Sequence, residues 1–392
     1  MVKRTAFNIL LSISVILCVP GCTASKDTLH SFTEIDFPDV KEQVYAHDFE
    51  SKNIVDLFST CTTVDAPSDY YFYGDEVLHH STLYGSSARL NNIHYGDLAS
   101  LNLQTGESEI LVKTPYGQYS NIIAFTDLDD NIICRATGYA PYEFEFFAYN
   151  LKTKETESIN HVYDMPYAIA TSDEECVMYS IPMYNYPDNP DNVAVAVFKW
   201  KPGDNQPIKI ADNGSSPFKV GNEWYCITFF QGRPEESTLA RIEGNKLTEI
   251  KLNNIYGVIW EACALDDTHI LICGSPQSFS ELYRIYIYDL NTKQATYLFD
   301  VKNGAELFKV HGQFISWYGY PGDNMETDKM TILYDYKNKI RYLSDFHTII
   351  MSDEGVAFNS LDKEYEEMEY IDKVLYSKWH YAKWTDLKTN AN

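Results

Sequence analysis

Short apolar runs alternate with brief polar turns along most of the chain, and one two-run unit is repeated. In its sharpest copy, residues 285–299 (IYIYDLNTKQATYLF), two strand-like runs flank a tight polar turn. A polar residue and a large apolar residue precede the turn, which is typical of a β-hairpin. The same order predicts further hairpins at the units that begin at Asp48, Asn102, Asn150, Lys199, Arg241 and Asp335.

A second set of short turns interleaves with these hairpins. Counted from Asp75 to Asp353, successive turns lie 54, 44, 48, 45, 45 and 42 residues apart. A period of about 40–50 residues with four short strands is typical of a β-propeller blade. The second turns are those at Asp75, Asp129, Asp173, Gly221, Asp266, His311 and Asp353.

Both alternating faces of the strand-like runs are apolar, as in IYIY, CITFF and ILIC. Such sheets must be covered on both sides, and radial stacking of blades covers them better than a sandwich does. We therefore predict an all-β fold, with residues 41–392 forming one propeller of seven four-stranded blades. N-terminal strand material closes the ring by completing the last blade, beside strands at 349–358 and 369–376. Six blades, or an eighth partial blade from the aromatic tail at 379–384, are the alternatives.

The N-terminus has the order of an export signal. Lys3 and Arg4 precede an apolar run at 6–19, which is shorter than the ~20 residues that a spanning helix needs. The run ends in VPGC at 19–22, which resembles the bacterial lipobox, although Pro20 departs from the usual pattern. The resemblance implies a signal peptide at 1–21, diacylglycerol on Cys22 and a tether at 22–40. An ordinary signal peptide with a chance cysteine is the alternative.

Together with the DLNTK-like hairpins, these features resemble bacterial extracytoplasmic propeller lipoproteins. The resemblance implies a protein anchored on the outer side of the cell membrane through lipid on Cys22. It concerns the architecture and names no ligand, and the fold by itself does not fix a function.

The charge excludes one class of partner. The chain has 56 acidic and 31 basic residues and a net charge of −25, which becomes −27 without residues 1–21. Because such a surface repels phosphates, nucleic-acid binding is excluded. Six cysteines remain in the body, and most lie singly in apolar runs, which favours buried thiols; a bridge between Cys263 and Cys273 is the exception to test. No cofactor or metal motif occurs, and no G-x-S-x-G, P-loop or HExxH sequence is present.

The longer connections of the predicted propeller share one face and are rich in tyrosine. Tyrosine offers flat apolar area together with a hydrogen-bonding group, which suits sugars or extended peptides. For any single tyrosine, packing over a blade or plugging of the channel is the more common role. The candidate ligand-binding residues are Tyr139, Tyr142, Tyr184, Tyr186, Arg233, Tyr256, Tyr318 and Tyr320.

Two other patterns have simpler explanations than a metal site. The adjacent histidines His79 and His80 point to opposite faces if they lie on a strand. The acidic run at 127–131 lacks the glycine and closing glutamate of a calcium loop and matches hairpin turns elsewhere in the chain.

The sequence thus predicts a non-enzymatic lipoprotein that binds a glycan or peptide through its tyrosine-rich face. One alternative is a scaffold subunit that binds a protein of the cell envelope. A second alternative is a carbohydrate-active enzyme that uses two loop carboxylates as acid and base. The loop carboxylates are Asp188, Asp191, Glu235, Glu236, Asp323 and Glu326.

Overall fold

The computed structural model describes residues 43–67, 70–89, 92–114, 121–137, 143–163, 170–173, 175–184, 193–228, 237–252, 258–275, 282–322, 329–361 and 376–388. These residues form seven β-sheets and three short 3-10 helices, at Ala46–Asp48, Ile54–Leu57 and Trp384–Asp386. The predicted seven-bladed propeller is therefore confirmed.

The first strands form the N-terminal arm and the first three blades. The arm contains β1 (Glu50–Asn53) and β2 (Thr62–Asp65). Blade 1 contains β3 (Tyr70–His79), β4 (Thr82–Arg89), β5 (Asn92–Asn102) and β6 (Ser108–Val112). Blade 2 contains β7 (Ile122–Leu128), β8 (Asn131–Thr137), β9 (Glu143–Asn150) and β10 (Thr156–Tyr163). Blade 3 contains β11 (Ala170–Ser172), β12 (Val177–Tyr184), β13 (Val193–Trp200) and β14 (Ile208–Asp212).

The remaining strands form four more blades. Blade 4 contains β15 (Gly214–Val220), β16 (Glu223–Thr228), β17 (Leu239–Glu243) and β18 (Lys246–Ile250). Blade 5 contains β19 (Val258–Ala264), β20 (His269–Ser275), β21 (Leu282–Asp289) and β22 (Gln294–Lys302). Blade 6 contains β23 (Ala305–His311), β24 (Phe314–Gly319), β25 (Met330–Asp335) and β26 (Ile340–Leu343). Blade 7 contains β27 (Ile349–Met351), β28 (Gly355–Leu361) and β29 (Ser377–Lys383).

The first strand of each blade is the innermost one. These seven strands contact one another in a closed ring, from β3 through β27 and back to β3. The turns between the first and second strands, and between the third and fourth, emerge at one end of the ring, which we call the turn face. The other connections emerge at the opposite end, the loop face. Side chains buried on both sides of each sheet pack the blades together, and in β20 six of the seven residues are buried.

The N-terminal arm closes the ring. Strand β2 pairs antiparallel with β29, with Thr62 opposite Tyr381, and supplies the fourth strand of blade 7. The predicted closure is therefore confirmed, although the third strand of this blade begins at Ser377. The aromatic tail at 379–384 is mostly β29, so the alternative of an eighth blade is wrong.

Two predicted turns are also wrong. The unit at Asp48 is no hairpin, because β1 pairs parallel with β26 as a fifth strand of blade 6. Its apolar residue, Phe49, instead stacks on Tyr334 with ring centroids 4.7 Å apart. The turn placed at Asp75 lies inside β3, and the chain reverses at His80, where φ is +52°. Measured from His80, the first spacing between turns is 49 residues rather than 54, which brings it close to the other spacings.

The cysteines of the body are all free thiols, including the pair at Cys263 and Cys273. Four of the six are buried, and burial raises the pKa of Cys226 to about 12. Within the described residues, none of the helices is long or apolar enough to cross a membrane.

Candidate active site at the loop face of blades 5 and 6

The structure locates three of the tyrosines that the sequence singles out. Tyr318 lies near the end of β24 and Tyr320 directly follows that strand, at the loop face of blade 6; both are half-buried. Tyr184 ends β12 of blade 3, where only its backbone is described. The others lie outside the described residues, as does the lipid-attachment residue: Tyr139, Tyr142, Tyr186, Arg233, Tyr256 and Cys22.

Tyr318 and Tyr320 flank a lysine. The Lys329 Nζ lies 5.7 Å from the ring centroid of Tyr318 and 5.6 Å from that of Tyr320. It also lies 3.2 Å from Oε1 of Glu306, and the Lys329 side chain is only 13% exposed. Two aromatic faces and one carboxylate therefore hold a largely buried cation. Gly304 lies beside Lys329 and Glu306 with a φ of +120°, a backbone conformation that residues with a side chain rarely adopt.

A second glutamate approaches from the neighbouring blade. Glu261 lies on β19, the innermost strand of blade 5. Its two carboxylate oxygens accept hydrogen bonds from the backbone N–H groups of Leu307 and Phe308, each at 2.8 Å. These donors belong to a bulge where the register of β23 shifts between Glu306 and Lys309. The carboxylate thus satisfies two N–H groups that the bulge takes out of the ladder.

Burial raises the pKa of Glu261 to about 8, and the nearby charge of Glu306 adds to the rise. The two backbone N–H groups act in the opposite direction because they stabilise the carboxylate. The raised pKa favours the protonated acid, and the same two donors stabilise the charge when that proton leaves. The residue as a whole is half-buried.

Blade 4 contains the same kind of bulge without a carboxylate. The register of β15 shifts between Ser215 and Phe218, and Ser216 has a φ of +50°. There the Ser216 N–H donates to the hydroxyl of Ser180, on the preceding blade, at 3.3 Å. That bulge has Pro217 where blade 6 has Phe308, so it presents a single N–H group and one hydroxyl is enough. The bulge of blade 6 presents two N–H groups, and the two oxygens of Glu261 accept one each.

The adjacent histidines His79 and His80 have structural partners on the neighbouring blades. The His79 Nδ1 lies 2.6 Å from Oδ2 of Asp127 on blade 2, while the His80 Nδ1 lies 2.8 Å from Oε1 of Glu354 on blade 7. The two histidines therefore join blade 1 to both neighbours rather than sharing a metal. The described residues contain no group of three or more His, Cys, Asp or Glu side chains that could hold a metal ion. The six loop carboxylates named above lie outside the described ranges.

Sequence reasoning missed Glu261 and Glu306. They are 45 residues apart, one blade period, so no local motif contains both. The available signal was an acid within each of two apolar innermost strands, VIWEACA and AELFKVH.

Comparison with solved structures supports the fold. An oligogalacturonate lyase in complex with manganese matches with a TM-score of 0.51 at 11% identity, over 82% of this chain and 90% of the lyase. A second oligogalacturonate lyase, from Vibrio parahaemolyticus, matches with a TM-score of 0.50 at 13% identity, over 83% and 96%. The Pyrococcus horikoshii acylaminoacyl peptidase matches with a TM-score of 0.53 at 10% identity, over 74% of this chain and 49% of the peptidase. No protein-family model and no curated protein matches the chain.

These neighbours establish a β-propeller body, and they are enzymes. The finding contradicts the prediction of a non-enzymatic ligand-binding propeller. That prediction depended on the absence of a catalytic motif in the sequence. A propeller gathers side chains from strands that are far apart in sequence, so the absence of a local motif does not argue against catalysis.

Proposed function

We propose that this propeller is a carbohydrate-active enzyme that cleaves a glycosidic bond, with Glu261 and Glu306 as its acid–base pair. The observation that carries the proposal is the pairing of two glutamates on adjoining innermost strands in different environments. Glu261 is desolvated and bound by two backbone N–H groups, whereas Glu306 lies beside the ammonium of Lys329. Two carboxyl groups held in unlike environments are typical of an acid and a base that act together.

Each group has a distinct role in this proposal. Glu261 donates its proton to the leaving oxygen, and the N–H groups of Leu307 and Phe308 stabilise the resulting carboxylate. Glu306 accepts a proton, either from a water molecule or from the substrate, and its carboxylate pairs with the ammonium of Lys329 at 3.2 Å.

Two observations favour a sugar as the substrate. Tyr318 and Tyr320 supply aromatic area and hydroxyl groups beside the carboxylates, a combination suited to sugar rings. The two matched oligogalacturonate lyases are covered over 90% and 96% of their length, whereas only 49% of the peptidase is covered. The match thus extends over nearly all of each lyase but only about half of the peptidase, which favours the lyases as the guide to a substrate.

The test is incubation of the purified protein with neutral and uronate-containing oligosaccharides. New reducing ends measure cleavage, and ultraviolet absorbance by an unsaturated product distinguishes elimination from hydrolysis. Glu306→Gln should lower the rate roughly 100- to 10,000-fold, whereas Glu249→Gln, an exposed position on β18, should leave it unchanged. The rate should also fall as the pH rises through about 8, because Glu261 then loses its proton. Equal activity of both variants would refute the assignment.

We also propose that the chain is exported and held on the outer side of the cell membrane by lipid on Cys22. The support is the order of charged, apolar and lipobox-like segments in residues 1–22. An exported glycan-cleaving enzyme would meet its substrate outside the cytoplasm. A Cys22→Ser protein should appear in the soluble fraction of the cells that express it, and retention of this variant in the membrane fraction would contradict lipidation there.

A further inference from the structure

An apolar side chain is exposed beside the two glutamates. Among the described residues, the large apolar side chains with high exposure are Val55, Ile208, Leu307 and Tyr376. Leu307 differs from the others because it lies on an innermost strand, β23, and it is 44% exposed. It lies near the loop-face end of that strand.

The backbone at Leu307 is strained. Its φ of +58° lies in the left-handed region, which glycine and asparagine adopt far more readily than leucine. Strain of this kind persists where the surrounding structure enforces it, and here the bond from the Leu307 N–H to Glu261 does so. Neither burial of the side chain nor backbone preference therefore explains a leucine at this position.

Leu307 lies next to both glutamates of the candidate site. It directly follows Glu306, and its own N–H is bound by Glu261. Leu307 is therefore adjacent to both acid–base groups. We propose that Leu307 is a specificity-determining residue that packs against the apolar C–H face of the sugar ring at the cleavage point. This inference depends on the proposed function, because it concerns the substrate of the same site.

Blade 4 supplies an internal comparison. The matching bulge residue there is Ser216, which has nearly the same φ, +50°, and a small polar side chain. The bulge therefore requires neither size nor apolar character. The leucine occurs beside the glutamates, where an apolar contact has a function.

Three variants test the inference: Leu307→Gly, Leu307→Met and Ser216→Gly. Leu307→Gly relieves the backbone strain and removes the contact, so it should melt at or above the wild-type temperature while KM rises about tenfold. Leu307→Met should restore a near wild-type KM because it keeps an apolar side chain. Ser216→Gly relieves the same kind of strain in the bulge of blade 4, whose N–H is bound by Ser180 and not by Glu261, and should leave KM unchanged.

The outcomes separate this inference from the proposed function. If Glu306→Gln loses activity but Leu307→Gly keeps the wild-type KM, the enzyme assignment stands and the role of Leu307 is overturned. Binding of fluorescent oligosaccharides to the same proteins gives a readout that needs no turnover. Equal binding by wild type and Leu307→Gly, or binding by neither, would also overturn the role of Leu307.

Discussion

Asp173 links blade 3 to blade 4 at the turn face, and its removal should have a measurable and pH-dependent cost. The carboxylate lies directly after β11 and accepts hydrogen bonds from the N–H groups of Glu175 and Cys176, each at 2.8 Å. It also accepts a bond from Nζ of Lys219 on β15 at 2.8 Å. Only 10% of the Asp173 side chain is exposed. The substitution Asp173→Asn removes the charge and keeps the size.

The magnitude follows from the pKa of Asp173. Burial raises this pKa, but the bonds from Lys219 and from the two backbone N–H groups outweigh burial and lower the pKa from 3.8 to about 2. At about 1.4 kcal/mol per pKa unit, the difference corresponds to roughly 2.5 kcal/mol. Since Lys219 is 31% exposed, solvent screening reduces the expected cost of the substitution to roughly 2 kcal/mol at neutral pH.

The sign of the pH dependence is fixed by the lowered pKa. A carboxyl group with a depressed pKa in the folded state stabilises the protein above pH 4, and this contribution is lost as the pH falls toward 2. Chemical denaturation of wild type and Asp173→Asn at pH 7, 4, 3 and 2 measures it, and the two curves should converge at the lowest pH. Asp212→Asn, in an exposed pair with Lys209, is the matched control and should change little. A constant difference between wild type and Asp173→Asn at all four pH values would refute the reasoning.

Three further predictions concern stability. Burial lowers the pKa of His311, whose ring stacks on Trp384 with centroids 4.5 Å apart, so the stability of the protein should fall as the pH drops below 6.5. Denaturation at pH 8 and pH 5 measures this loss, which should be smaller in His311→Phe. Asp300→Asn should cost about 3–5 kcal/mol in urea denaturation, because it leaves the Arg284 guanidinium, 4% exposed, without its charge partner. Ile54→Ala, at a fully buried position in the N-terminal arm, should cost about 2–5 kcal/mol in the same assay; a loss below 1 kcal/mol would show that the arm contributes little to ring closure.

The sequence predicts blades well because each blade repeats the same local chemistry. The turn after Asp289, for example, is stabilised by hydrogen bonds from the Asn291 and Thr292 N–H groups to the Asp289 carboxylate. These residues are close in sequence, so the local pattern is enough to predict the turn. The pattern at Asp48 imitates this order, but Phe49 there packs against the side of a blade. Local sequence cannot distinguish these cases, because the partner strand of β1 lies about 290 residues away.

The candidate site could not be predicted from local sequence either, because its residues are far apart in the chain. Glu261 and Glu306 come together because adjoining innermost strands place residues about one repeat apart side by side, and no local motif records that distance. The corresponding bulge of blade 4 has Pro217 at the place of Phe308, so it presents one N–H group, which the Ser180 hydroxyl accepts. The bulge of blade 6 presents two N–H groups, which the two oxygens of Glu261 accept. A carboxylate at position 261 therefore has a structural use in holding the bulge, and the activity of Glu306→Gln is the measurement that decides whether the two glutamates also act as an acid and a base.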